Sequence, residues 1–209
     1  MFYDSGGQGA GYGERQMANQ IAGLVAAIDA NLITADEVSR GLNQAQFNWR
    51  PEPGRWSIGQ CFSHMNIANG LDLGGMERAI ADGRARGLTA SGPFRYGLLS
   101  RKFAESQDLP VKGKIKAPKV FAPPPDVDME KVVAEYRRNS MELRRLMAAA
   151  DGLDLVRIKV QLSALPQPLR SIVRMPVGAR FLLLTNHDRR HLWQAGEVRK
   201  QPGFPGLAG

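Results

Sequence analysis

The chain is short of the residues that staple small folds or carry much of their chemistry. It has one cysteine, Cys61, and three histidines. A lone thiol cannot close an internal disulfide, so a reducing, cytoplasmic setting is expected. No uninterrupted apolar run reaches the ~18 residues needed to span a bilayer. The first residues also lack the basic-then-apolar layout of a secretory leader. Both absences argue against a membrane partner. The net charge is +8 and the pI ≈ 10.0, yet RRM, KH and zinc-finger spacings are missing and the basic residues are spread along the chain. Nucleic acid is therefore not the expected partner; an anionic small-molecule substrate or a solvated basic surface fits better. The early glycines (Gly6, Gly7, Gly9, Gly11, Gly13) follow no strand, which excludes a dinucleotide-binding fingerprint.

What is present suits one domain. The 209 residues are 43% hydrophobic and 23% charged, ordinary for a globular protein with room for an insertion. The expected boundaries are a flexible glycine-rich tail over 1–13, a helical domain over 14–200 and a flexible tail over 201–209. Apolar residues at Met17, Ile21, Leu24, Val25 and Ile28 keep helical spacing from Glu14 to about Asn31. Thr34-Ala-Asp-Glu37 reads as a capping box that opens a short second helix through Leu42. Ser57 caps a helix from Ile58 to about Ala81. Gly70, Gly74 and Gly75 weaken it by ~1 kcal/mol each relative to alanine; close approach of a neighbouring helix would explain them.

Between 83 and 127, prolines and glycines break any long element, apart from a short helix within 94–103. A loop this long is expected to cover a site or pack on a partner chain. Asp128 caps a helix from Met129 to about Ala150, with Val132, Tyr136, Leu143 and Met147 on its apolar face and Arg137, Arg138, Arg144 and Arg145 outside. Leu155–Val160 alternates like an exposed strand without a hairpin partner. The last helix begins near Pro176, a residue suited to a first turn, and runs to about Lys200. Four substantial helices and no convincing sheet predict an all-α four-helix bundle, with a long irregular insertion between its second and third helices. Bundles place metal ligands on facing helices, pointing inward.

The chemistry concentrates in Thr185-Asn-His-Asp-Arg-Arg-His-Leu-Trp193. His187 and His191 are four residues apart in a helical run, so both rings can face one point, as a divalent-metal ligand pair does. If the Ile58 helix is their neighbour, His64 completes a three-histidine site with coordination positions left for water or substrate. The alternative is three ordinary helix residues. Cys61 is expected to be a buried inert thiol rather than a ligand. Trp49 and Trp56 read as core anchors, with a pocket-lining role as the alternative. Gln60 is placed to orient a ligand histidine or a water, and Asp188 is expected to be solvated. No Ser-His-Asp or Cys-His arrangement is available, so no catalytic side chain is assigned.

Trp49-Arg-Pro-Glu-Pro-Gly-Arg-Trp-Ser-Ile-Gly-Gln-Cys-Phe-Ser-His64, followed by His187-Asp-Arg-Arg-His191-Leu-Trp-Gln, resembles the DinB/YfiT-like superfamily over Glu14 to Lys200. The resemblance implies a four-helix bundle in up-down-down-up order and a divalent metal, zinc or nickel, held by His64, His187 and His191. It implies thiol S-transferase-like or hydrolase-like activity on a small electrophilic substrate, with a low-molecular-weight thiol as a possible cosubstrate. The alternative it leaves open is a non-catalytic, metal-binding stress-response or dimerising module, the chain then forming a homodimer. The proline-rich insertion before residue 128 departs from the family pattern.

Overall fold

The computed structural model describes residues 20–109, 118–162, 165–166 and 168–206. The expected tail over 1–13, the turns from Glu14 to Asn19 and positions 207–209 lie outside them.

The first helix, α1, runs unbroken over Gln20–Ser39. The capping box expected at Thr34 does not form. Thr34 Oγ1 instead donates back to the Ala30 carbonyl at 3.0 Å. Ile28, Asn31, Ala35 and Val38 form one buried stripe through this point, and its burial against the neighbouring helices outweighs the local cap. The real box lies further on: Asn43 and Gln46 cap α2, Gln44–Asn48, reciprocally.

Ser57 and Gln60 make a second full capping box and start α3, Ile58–Ala85. Gln60 is used there and on the Pro124 carbonyl, so it orients no histidine. Gly70 and Gly75 do not receive a neighbouring helix, since a Cβ at either would meet nothing within 4 Å. Close approaches come instead at Gly59 and Gly83, where a Cβ would run into the Val127 and Ile158 side chains.

Among its described residues, the stretch after α3 carries α4 (Leu98–Glu105) and a 3-10 turn (Lys119–Phe121). Asp128 caps α5, Met129–Ala149, by accepting from the Lys131 amide at 3.0 Å. Three of its outer arginines are ion-paired across helices, Arg137 with Asp36, Arg144 with Asp29 and Arg145 with Glu77. That neutralises part of the basic surface.

Of the strand expected over Leu155–Val160, only Lys159 and Val160 are in a strand, the residues before them forming a turn, and that strand does have a partner. β1 (Lys159–Gln161) pairs antiparallel with β2 (Arg174–Pro176), Val160 facing Met175. A four-residue helix, α6 (Leu169–Ile172), lies between them. Pro176 then leads into α7, Val177–Arg199. The first amides of α7 donate to Ile158 and Leu155 carbonyls at 2.9 and 3.2 Å, so the turn just before β1 satisfies donors that a helix start leaves open.

The described residues are mostly helical, with only this two-stranded ribbon as sheet. The four long helices pack on one another: α3 lies against α5 and α7, and α1 against the same two. A buried ion pair between Arg180 of α7 and Asp72 of α3 crosses that core. Burial lowers the Arg180 guanidinium to about 10. Phe47, Ile58, Cys61, Phe62, Met65, Tyr136 and Leu192 form the part of the core around the start of α3. Each such large side chain contributes roughly 1.5–3 kcal/mol of burial. After α7, Phe204 packs edge-on against Trp49 at 5.4 Å, and Gln46 donates to the Pro205 and Gly206 carbonyls. No helix among the described residues is long and apolar enough to cross a membrane.

Candidate metal centre

Ser57 fixes where α3 begins, and His64 follows two turns later on its inner face. Pro176 and the ribbon fix the start of α7, which presents His187 and His191 from successive turns. The packing of α3 on α7 brings the three together. Each offers one ligand atom within 4.8 Å of the others. Ring centroids are 4.9 Å apart for His64 and His187, and 4.5 Å for both other pairs. His64 and His191 are buried, and the His187 side chain is 12% exposed.

Partners fix the protons on two of the rings. His64 Nδ1 lies 2.7 Å from the Phe121 carbonyl oxygen. A carbonyl only accepts, so His64 carries its proton on Nδ1 and turns a bare Nε2 into the cluster. His191 Nδ1 lies 3.0 Å from Gln194 Oε1, which gives His191 the same tautomer. His187 Nε2 sits 3.0 Å from His64 Nε2. The other nitrogen of the His187 ring is Nδ1, on the Asp188 side. That Nδ1 is buried without a hydrogen-bond partner, as is Asp188 Oδ1, and the two lie 3.6 Å apart.

These two orphaned atoms test whether a metal suits the site. If a cation takes His187 Nε2, the proton belongs on Nδ1, facing the Asp188 carboxylate. Both atoms then gain a favourable counterpart, and three bare imidazole nitrogens converge on one point. The donor set fits a divalent first-row transition metal.

The electrostatics favour the same state. Burial lowers the His64 pKa, against the opposing Phe121 hydrogen bond and the Asp188 charge. His187 is held well below its ordinary value by burial, then by the charges of His64, Arg180 and Arg190. His191 is lowered likewise, by burial and then by His187 and His64. All three rings are neutral at neutral pH, the form that binds metal. Burial pushes the Asp188 carboxyl up to about 7, against the Asn69 amide that donates to its Oδ2 at 3.0 Å.

Asp188 is therefore buried, not solvated as expected from its position one step off the ligand face. That step turns it toward Asn69 of α3. Trp56 packs against the core as an anchor does, and its ring also lies 4.7 Å from His64 and 5.6 Å from His191, walling the cluster. Trp49 anchors as well, against Phe204. Cys61 is fully buried in the apolar core, and burial pushes its thiol far above the usual range. It stands outside the histidine group. Glu197 pairs with Lys200 at the surface. Phe121 and Gln194 were not singled out from the sequence. Gln194, three residues after His191, was within reach of helical spacing; Phe121 gave no signal because its contribution is a backbone oxygen.

No curated protein and no solved structure matches the chain. A family profile does, that of the DinB superfamily, over residues 28–195. The match takes in α2, α3, α5, both strands and all three histidines, and most of α1 and α7. With the family's profile running through most of the sequence, the chain belongs to the DinB superfamily.

Proposed function

We propose that the chain folds as a DinB-like four-helix bundle in up-down-down-up order and holds one divalent metal, zinc or nickel, through His64, His187 and His191. The reading is of a cytoplasmic metal-dependent enzyme that joins a thiol or water to a small electrophilic substrate, as a thiol S-transferase or a hydrolase does. The observation that carries it is the convergence of three neutral imidazoles, two with their protons held away from the shared point. When bound, the metal supplies Lewis acidity, which brings a thiol or water near its deprotonation point at neutral pH. The chain does the rest. Phe121 and Gln194 hold two rings in the ligating tautomer, Asp188 faces the third, and Trp56 keeps water off one side.

The test is a turnover screen of metal-loaded protein with low-molecular-weight thiols and small electrophiles, beside His187→Ala. Turnover that requires both metal and His187 supports the enzyme. The burial of the rings, with His64 only 4% exposed, favours a second reading, a metal held for structure in a stress-response or dimerising module. In that case the parent is inactive and His64→Ala loses thermal stability instead of turnover.

A further inference from the structure

A cavity of about 620 Å³ lies against the side of α7 away from the histidines. Its walls come from α1 (Leu24, Ala27), from the segment leading into α4 (Phe94, Tyr96) and from α7 (Gly178, Leu182). On α7, positions 178, 182, 185 and 189 recur at three- and four-residue steps. They fall roughly opposite His187 and His191 on a helical wheel of 3.6 residues per turn. The volume is within the ~300–1,000 Å³ of sites that take small organic molecules.

The lining has two characters. Leu24, Ala27, Phe94 and Leu182 make an apolar floor. Arg95, Arg101 and Arg189 bring three positive charges against the single Glu105. Arg101 pairs with Glu105 at 3.6 Å and Arg189 with Asp108 at 3.2 Å, both in partly exposed, weak pairs. Arg95 makes no ion pair among the described residues. Most neutral polar groups of the wall are already engaged: Gln20 holds the backbone of Phe94, Thr185 donates to Phe181, and Asn186 donates to Ala104. One is not. The Tyr96 hydroxyl, against Gly178, is buried without a hydrogen-bond partner.

We infer that this cavity binds an amphipathic carboxylate, with its apolar body on the Leu24–Ala27–Leu182 floor and its head group at Arg95. The planar guanidinium fork matches two carboxylate oxygens. The inference stands apart from the metal reading, because the histidines face away from this cavity.

The experiment is calorimetric titration of the full-length protein with octanoate, octanol and octylamine. Saturable one-to-one binding of octanoate is expected, with octanol at least about tenfold weaker and no octylamine binding. Arg95→Glu, at an exposed position, weakens octanoate by about tenfold or more, and Ala27→Trp, which fills the floor, abolishes it. His187→Ala leaves octanoate binding unchanged. The inference is overturned if octanoate does not bind the parent, if octanol or octylamine binds as well, or if Arg95→Glu changes nothing. Loss of octanoate binding in His187→Ala would also overturn it, by placing the carboxylate at the histidine cluster.

Discussion

His64 donates its Nδ1 proton to the carbonyl oxygen of Phe121 across 2.7 Å, so a residue of the irregular stretch before α5 sets the tautomer of a ring on α3. The Phe121 ring also meets His64 edge-on at 6.1 Å. Part of the long insertion is thus built into the histidine cluster. Replacing Phe121 by glycine removes the ring and loosens the turn that aims the carbonyl. Loss of such an outer partner typically weakens metal binding by about 10–100-fold. The expected result for Phe121→Gly is a fall toward the lower end of that range, by competition with a chromophoric chelator, with an unchanged helical circular dichroism spectrum. Unaltered affinity would detach Phe121 from the site.

Ser57 starts the helix that carries His64, and its hydroxyl and the Gln60 side chain satisfy each other's backbone amides. Ser57→Ala removes a buried cap and is expected to cost about 1 kcal/mol. For a chain of this size that is a fall in Tm of roughly 2–4 °C, read by thermal denaturation. A conservative Ser57→Thr should recover most of it.

Cys61 lies among Phe47, Phe62 and Met65 in the core, and burial raises its thiol pKa far above the ordinary value. The thiolate is the reactive form, so native protein should resist iodoacetamide from pH 7 to about pH 9, well below the raised pKa. Unfolded protein should be alkylated readily over the same range. Rapid labelling of the folded chain, read by mass spectrometry, would contradict the buried-thiol assignment.

How much of this was legible in the sequence depends on whether the deciding contact was local. The His187–His191 pair needs only helical spacing, and the Ser57 and Asp128 caps need only the residue at the helix start. Thr34 looked equally good locally, but a cap cannot compete with a buried stripe that continues through it, and that stripe becomes visible only when α1 meets α5 and α7. Asp188 is a similar case. One step along α7 from His187 is outward on an isolated helix, yet inward once α3 brings Asn69 to that side. Trp56 precedes its helix, so nothing in the periodicity aims its ring, and the fold alone sets it beside His64 and His191. The partner of β1 was hidden because Arg174–Pro176 is too short to show alternation.

The central claim is that His64, His187 and His191 hold one metal ion together. Elemental analysis of the purified, untagged full-length protein, beside His187→Ala, tests it most directly. The account predicts about one equivalent of zinc, nickel or a neighbouring divalent metal per chain, and none in the variant. A parent that carries no metal even after incubation with zinc, or a variant that retains the full equivalent, would contradict it.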